Sequence, residues 1–162
     1  MFNISVIGGG EIDENTCEIA YRVGKLLAEN NAIVVCGGLT GVMECVAHGA
    51  ADAGGTSIGI LPGNRVEEGN GYLTARLPTG IGFARDFLVI RMGEAVIAID
   101  GASGTHTEAY FTLSEGKSLI CIGNLSVKRE KPSDGKLFRA ATPEEAVKIA
   151  LEEAKVYRES VT

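Results

Sequence analysis

Residues Gly101-Ala102-Ser103-Gly104-Thr105-His106-Thr107-Glu108 bring small, hydroxyl-bearing, basic and acidic side chains into one turn, directly after the apolar run Glu94 to Ile99. Glycines at a strand-to-helix turn let backbone amides approach an anion closely, and the helix that follows offers unpaired N–H groups and a positive dipole end. Gly101, Ser103, Gly104 and Thr105 are therefore candidates for holding a phosphate. Two other glycine-rich turns, Gly8 to Gly10 and Gly37 to Gly41, follow apolar runs in the same way and add Gly9, Gly38 and Gly41 to the candidates. Glu108 carries two readings. It stands three residues after Thr105, the spacing of a capping box in which threonine and glutamate each satisfy a helix-end N–H; alternatively its carboxylate faces the ligand.

Arg85 begins a helical segment after a long irregular stretch. A buried arginine there would pair with a carboxylate or a ligand phosphate, and an exposed one would be ordinary surface. Other arrangements fail on inspection. Gly8-Gly9-Gly10 is followed by Glu11, Ile12 and Asp13, so the dinucleotide pattern GxGxxG is absent. Gly116-Lys117-Ser118 resembles the end of a P-loop, but it leads into a strand and Phe111 replaces the required first glycine. His106 reads as a surface or hydrogen-bonding residue. His48 and Glu44 lie one helical turn apart with no second histidine to complete a metal set, so no metal is expected. Cys17, Cys36, Cys45 and Cys121 show no CxxC or metal spacing and read as reduced packing residues.

These residues need elements to position them, and the chain supplies alternating ones. Apolar runs Phe2 to Ile7, Ala32 to Cys36, Ser57 to Leu61, Glu94 to Ile99 and Ser118 to Ile122 read as strands bounded by glycine. A strand-like piece spans Tyr72 to Leu77, and Leu137 to Ala140 reads as a short last strand. Between them, Asp13 to Glu29, Thr40 to Ala53, Phe83 to Met92 and Thr105 to Glu115 carry helical periodicity. In the third, Phe83, Phe87 and Ile90 share one side, with Arg85 and Val89 on a different face. Thr142-Pro143-Glu144-Glu145 is a strong start for a final helix. Residues 62 to 82 are glycine-rich and irregular, the character of a ligand-covering loop.

Strands alternating with helices imply an α/β, Rossmann-like, doubly wound and mostly parallel sheet in three layers, with ligands outside the carboxyl ends of the strands where the strand order reverses. The 162 residues suit a single domain. Twenty-two glycines against four prolines mark turns rather than a low-complexity tract. A net charge of −6, and a basic cluster at Lys128-Arg129-Glu130-Lys131 that an acid interrupts, argue against nucleic acid as a partner. With no basic n-region at the start and no apolar run of membrane-spanning length, a cytoplasmic protein without a membrane partner is expected.

The segment GGLTGVMECVAHGAADAGGTSIGILPG, an arginine downstream of it and then IDGASGTHTE together resemble the LOG family of cytokinin riboside monophosphate phosphoribohydrolases and its wider SLOG superfamily. The likeness covers most of residues 2 to 122. That family is marked by an arginine on a helix and PGGxGTxxE after a strand; Arg85 lies 15 residues before Asp100, which matches the family's spacing, and Glu108 falls on the motif's glutamate. The resemblance implies that Gly101, Gly104 and Thr105 hold phosphate. It also implies that Glu108 faces the ribose, tipping its two readings toward the ligand, and that Arg85 orients the nucleotide. The implied reaction is hydrolysis of the N-glycosidic bond of a nucleoside 5′-monophosphate, with no cofactor, by a homodimer. Asp100 stands at the family's proline, Ala102 at its second glycine, and Asp86 at the lysine after its arginine. The sequence is closer to a divergent SLOG branch and is also similar to molybdenum cofactor carrier proteins, which bind a phosphorylated pterin without chemistry. The implied partner on either branch is a phosphorylated small molecule.

Overall fold

The computed structural model describes residues 1–101 and 103–162. Seven parallel strands form one sheet in the order β4-β3-β2-β1-β5-β6-β7: β1 Asn3–Gly8, β2 Ile33–Cys36, β3 Thr56–Leu61, β4 Ala75–Pro78, β5 Ala95–Ile99, β6 Leu119–Ile122 and β7 Leu137–Ala140. Among the described residues five α-helices accompany them: α1 Glu14–Glu29, α2 Val42–Asp52, α3 Arg85–Met92, α4 Ser103–Ser114 and α5 Pro143–Val161. This is the Rossmann-like, three-layer arrangement expected from the strand and helix alternation. Among the described residues, no helix is long and apolar enough to cross a membrane.

A parallel sheet covered on both faces needs strands that are apolar throughout. All five residues of β5, Ala-Val-Ile-Ala-Ile, are buried. Ile97 and Ile99 join a core with Val23 and Leu27 of α1, Val46 and Ala50 of α2 and Ala150 of α5. Val96 and Ala98 face a second core with Val89 and Ile90 of α3 and Ala109 and Leu113 of α4. Strand order reverses between β1 and β5, where a doubly wound sheet opens its crevice.

The layer holding α1 and α2 is tightly packed. A Cβ on Gly24 would lie 1.9 Å from Val46 O, and one on Gly49 would lie 1.9 Å from Tyr21 O. Only glycine permits two helices to approach so closely. That approach brings the first turns together and places Cys17 and Cys45, 28 residues apart in sequence, at a Cα separation of 5.5 Å, where they form a disulfide. The expectation of four reduced cysteines is thus corrected at these two positions, because their proximity arises from helix packing rather than from a local motif. Cys36 and Cys121 are free and buried.

The start of α5 is as the sequence indicates. Thr142 Oγ1 accepts from Glu145 N at 3.1 Å and Glu145 Oε2 accepts from Ala141 N at 2.9 Å, with Pro143 in the first turn. The third helical segment differs. Residues Gly82–Ala84 form a separate 3-10 turn before α3, which breaks the 3.6-residue register. Arg85, Val89 and Ile90 are buried, while Phe83 is 83% exposed and Phe87 40%.

Candidate functional site

A cleft of about 280 Å³ opens at the carboxyl ends of β1 and β2, at the switch point. Backbone from the turns after these strands, at Gly8, Gly10, Gly37 and Thr40, forms one part of its wall. Arg85 and Asp86 from the start of α3, and Gly104 and Glu108 from the first turns of α4, form another. Leu39, Met43 and Phe83 add apolar surface.

The glycines are required by close contacts. A Cβ on Gly8 would stand 2.7 Å from Ile99 O, and one on Gly37 would stand 2.8 Å from Arg85 Nη2. Gly41 has a φ of 71° and its Cβ would fall 2.2 Å from Gly9 O, so the β1 and β2 turns touch backbone to backbone. Val42 N donates to Gly9 O at 3.0 Å, and Thr40 Oγ1 to Gly10 O at 3.1 Å.

Arg85 is 4% exposed. Its Nε donates to Ile60 O at 2.9 Å and its Nη2 to Gly37 O at 3.4 Å, while Nη1 pairs with Asp86 Oδ1. Two strand-end carbonyls therefore fix the guanidinium at the cleft. Burial lowers its proton affinity, and the charge of Glu108 acts in the opposite direction. Lys117 secures the far end of α3: its Nζ donates to Ile90 O at 2.8 Å and Arg91 O at 2.9 Å, closing carbonyls that a helix end leaves open. The lysine of the P-loop-like triplet is thus a helix cap.

Glu108 is partly buried in the second turn of α4. Burial pushes its carboxyl from an ordinary value near 4.5 up to about 7, although the Arg85 guanidinium pulls the other way. The capping box, one of the two readings of Glu108, does not form among the described residues. Helix α4 already begins at Ser103, so Thr105 lies inside it, buried beneath Gly101. The side chain of Glu108 is free to line the cleft instead.

The candidate residues separate accordingly. Arg85, Glu108 and Gly104 line one cleft. Gly9, Gly38, Gly41, Gly101, Ser103 and Thr105 do not line it among the described residues. Gly38, with a φ of 78°, packs under Leu61 and Leu73. Gly9 and Gly41 join the two turns behind the wall. Ala102 lies outside the described residues. Residues 62 to 82 do not line the cleft either; Asn70 braces it from behind, donating its N–H to Gly38 O and its side-chain amide to Leu39 O, each at 2.9 Å.

Both extra acids are accommodated. Asp86 is paired with Arg85. Asp100 adopts a φ of 47°, which proline cannot reach, and its carboxylate accepts from Asn124 N at 3.0 Å and Thr16 Oγ1 at 3.4 Å. It does not line the cleft.

The model of the SLOG cluster4 family matches residues 1–147. The chain belongs to that family. Within its relatives, an uncharacterised protein of Archaeoglobus fulgidus is 39% identical over 152 residues, covering 93% of this chain and 95% of that protein. A cytokinin riboside 5′-monophosphate phosphoribohydrolase of Rhodococcoides fascians is 30% identical over 101 residues, covering 60% of this chain and 51% of that enzyme. The match therefore spans about half the enzyme's length. Among solved structures, the molybdenum cofactor binding protein of the phototrophic bacterium Rippkaea orientalis superposes with a TM-score of 0.83 at 27% identity, covering 93% of this chain and 95% of that one. This SLOG cluster4 chain is thus related both to a nucleotide-cleaving enzyme and to a cofactor-binding protein.

Proposed function

We propose that this protein binds a nucleoside 5′-monophosphate, or a similarly phosphorylated small molecule, in the cleft at the ends of β1 and β2, and that it hydrolyses the N-glycosidic bond of that nucleotide. The observation that carries the reading is the placement of Glu108 and Arg85 in one cleft, with the Glu108 carboxyl raised by burial to about 7. A carboxyl with that proton affinity is divided between its acid and base forms near neutrality, as proton-transfer chemistry requires. Phosphate would meet backbone N–H groups at the start of α4 beside Gly104, where the helix dipole favours negative charge. Arg85 would orient the nucleotide through the guanidinium N–H groups left over from Ile60, Gly37 and Asp86.

Departure of the base leaves positive charge on the ribose, which the ionised Glu108 would stabilise while orienting the attacking water. The bond broken joins the anomeric carbon to the base nitrogen, whose electron pair leaves with the base. Water supplies the new C–O bond and a proton for the base, giving free base and ribose 5-phosphate. By the family resemblance the protein would act as a homodimer, and the step needs no cofactor.

A second reading, binding without turnover, is favoured by a specific observation. Asp86 occupies part of the Arg85 guanidinium, leaving less of it for a transition state. The cofactor-binding relative from Rippkaea orientalis supports this alternative.

The test incubates the purified protein with nucleoside 5′-monophosphates and follows both melting shifts and release of free base. Base release that disappears in Glu108→Gln supports hydrolysis. Melting shifts without release, unchanged in Glu108→Gln but lost in Gly104→Val, support the carrier. No response to any phosphorylated ligand, pterins included, overturns both.

A further inference from the structure

Phe83 places a large apolar ring in water at the rim of the cleft: it is 83% exposed, the most exposed aromatic side chain among the described residues, yet it lines the same cleft as Arg85 and Glu108. No aromatic pair or cation–π contact within the described residues includes it. Phe87, one helical turn along, is different, because its ring already packs against Phe111 at 4.6 Å between centroids. The backbone presents Phe83 deliberately. Gly80 and Gly82 hold φ values of 69° and 65°, a conformation that costs other residues strain, and the 3-10 turn Gly82–Ala84 then leads into Arg85. Arg85 is tied to Ile60 O and Gly37 O, so the ring stands two residues from a fixed point.

Further apolar lining comes from Val6 and Ile7 of β1 and from the β2–α2 side. Leu39 and Met43 line the cleft there, and Met43 Sδ packs so close to Gly37 that a Cβ on that glycine would be 2.6 Å from it. The cleft lining combines polar groups suited to a sugar phosphate, Glu108, Arg85 and the start of α4, with an unstacked aromatic ring and a polarisable thioether. A flat heterocycle is the group that such a pair of surfaces takes up.

We infer that Phe83 is the stacking platform for the planar ring of the ligand and thereby selects ring-bearing phosphorylated molecules over bare sugar phosphates. The inference rests on the phosphate-binding reading of the same cleft. Phe83 acts on binding and orientation of the ring; Glu108 remains the group at the reacting bond.

The chain contains no tryptophan, so Phe83→Trp creates a single fluorescent reporter at the rim. Adenosine 5′-monophosphate is expected to change its emission saturably, and ribose 5-phosphate to leave it unchanged. Phe83→Ala should weaken adenosine 5′-monophosphate about tenfold, the usual consequence of losing one ring stack, while ribose 5-phosphate affinity, read by calorimetry, stays within about twofold. Phe83→Trp should retain the wild-type affinity. The exposure of the ring means that neither substitution disturbs the core.

Equal losses for the two probes in Phe83→Ala, or no loss for either, would overturn the platform while leaving phosphate binding in place. So would a wild-type protein that binds ribose 5-phosphate and ignores adenosine 5′-monophosphate. If neither probe binds the wild type, the nucleoside-monophosphate reading fails and the platform falls with it.

Discussion

Arg85 and Glu108 line one cleft from the starts of consecutive helices, and the guanidinium lowers the proton affinity of a carboxyl that burial raises, with burial dominant. The pair is charged on one side and divided on the other near neutral pH. Two measurable consequences follow, one for stability and one for turnover.

Folded Glu108 titrates near 7, against about 4.5 when unperturbed. Between those pH values the native state holds a proton that the unfolded state has released, so this group's contribution to stability falls as pH rises. Replacing it by glutamine removes the penalty. Glu108→Gln should match the wild type at pH 4 and exceed it by about 2 kcal/mol at pH 8, allowing for partial solvent screening of the carboxylate. Urea denaturation at the two pH values reads the difference; a variant less stable than wild type at pH 8 would contradict the assigned environment.

If the ionised carboxylate is the working form, base release from a nucleoside monophosphate should rise with pH through about 7 and level above it. Glu108→Gln should lower the rate by roughly a hundredfold or more while leaving ligand binding within a few-fold. A rate that falls through neutral pH would assign Glu108 the acid role instead.

Arg85 is a structural part of the site as well as a ligand candidate. Arg85→Ala would leave Ile60 O and Gly37 O without their donor and Asp86 without its partner, and should cost about 3 kcal/mol. Arg85→Lys should cost less but still lower stability, because one ammonium cannot reproduce the planar fork that reaches both carbonyls. Chemical denaturation ranks the three proteins; wild-type stability in Arg85→Ala would show that the buried hydrogen bonds contribute nothing net.

Five of the strands were legible as apolar runs closed by a glycine turn, while β4 and β7, each with an arginine and no closing glycine, showed only as short strand-like pieces. The capping box at Thr142 and Glu145 was also local and came out as expected. At Thr105 and Glu108 the same spacing misled, since α4 starts two residues earlier and a spacing rule does not fix where a helix begins. Arg85 and Glu108 could be paired from motif spacing, and the structure brings them into one cleft. Phe83, Met43 and Leu39 could not be assigned to it, because one lies in a 3-10 turn ahead of a helix and the others come from a different strand end. The Cys17–Cys45 link was illegible for a related reason: it depends on glycines at Gly24 and Gly49 in the middle of two helices.

That link joins the first turns of α1 and α2, and it closes a segment with a sequence separation of 28 residues. Closing a segment of that length in the unfolded chain should stabilise the fold by about 3.5 kcal/mol. Cys17→Ser/Cys45→Ser, or the wild type kept in a dithiol, should unfold at correspondingly lower denaturant concentration. Identical midpoints with and without reductant would show that the helix packing alone holds the two turns.

Gly104 separates binding from folding more cleanly than any other position in the cleft. It lies in the first turn of α4, no described atom other than its chain neighbours and its own helix backbone stands within 4 Å of where its Cβ would be, and it needs no left-handed backbone. Alanine there should therefore stabilise the helix slightly, by roughly 0.5 kcal/mol, because glycine loses more freedom on folding. The added methyl projects beside the backbone N–H groups proposed to receive phosphate. Gly104→Ala should thus melt at or slightly above the wild-type temperature and bind a nucleoside monophosphate several-fold more weakly, with Gly104→Val weaker again. By contrast, a methyl on Gly8 or Gly37 would meet backbone or the Arg85 guanidinium at under 3 Å, so those variants should lose stability and binding together. Full ligand affinity in Gly104→Val would move the phosphate away from the start of α4, even if Glu108 proves essential to turnover.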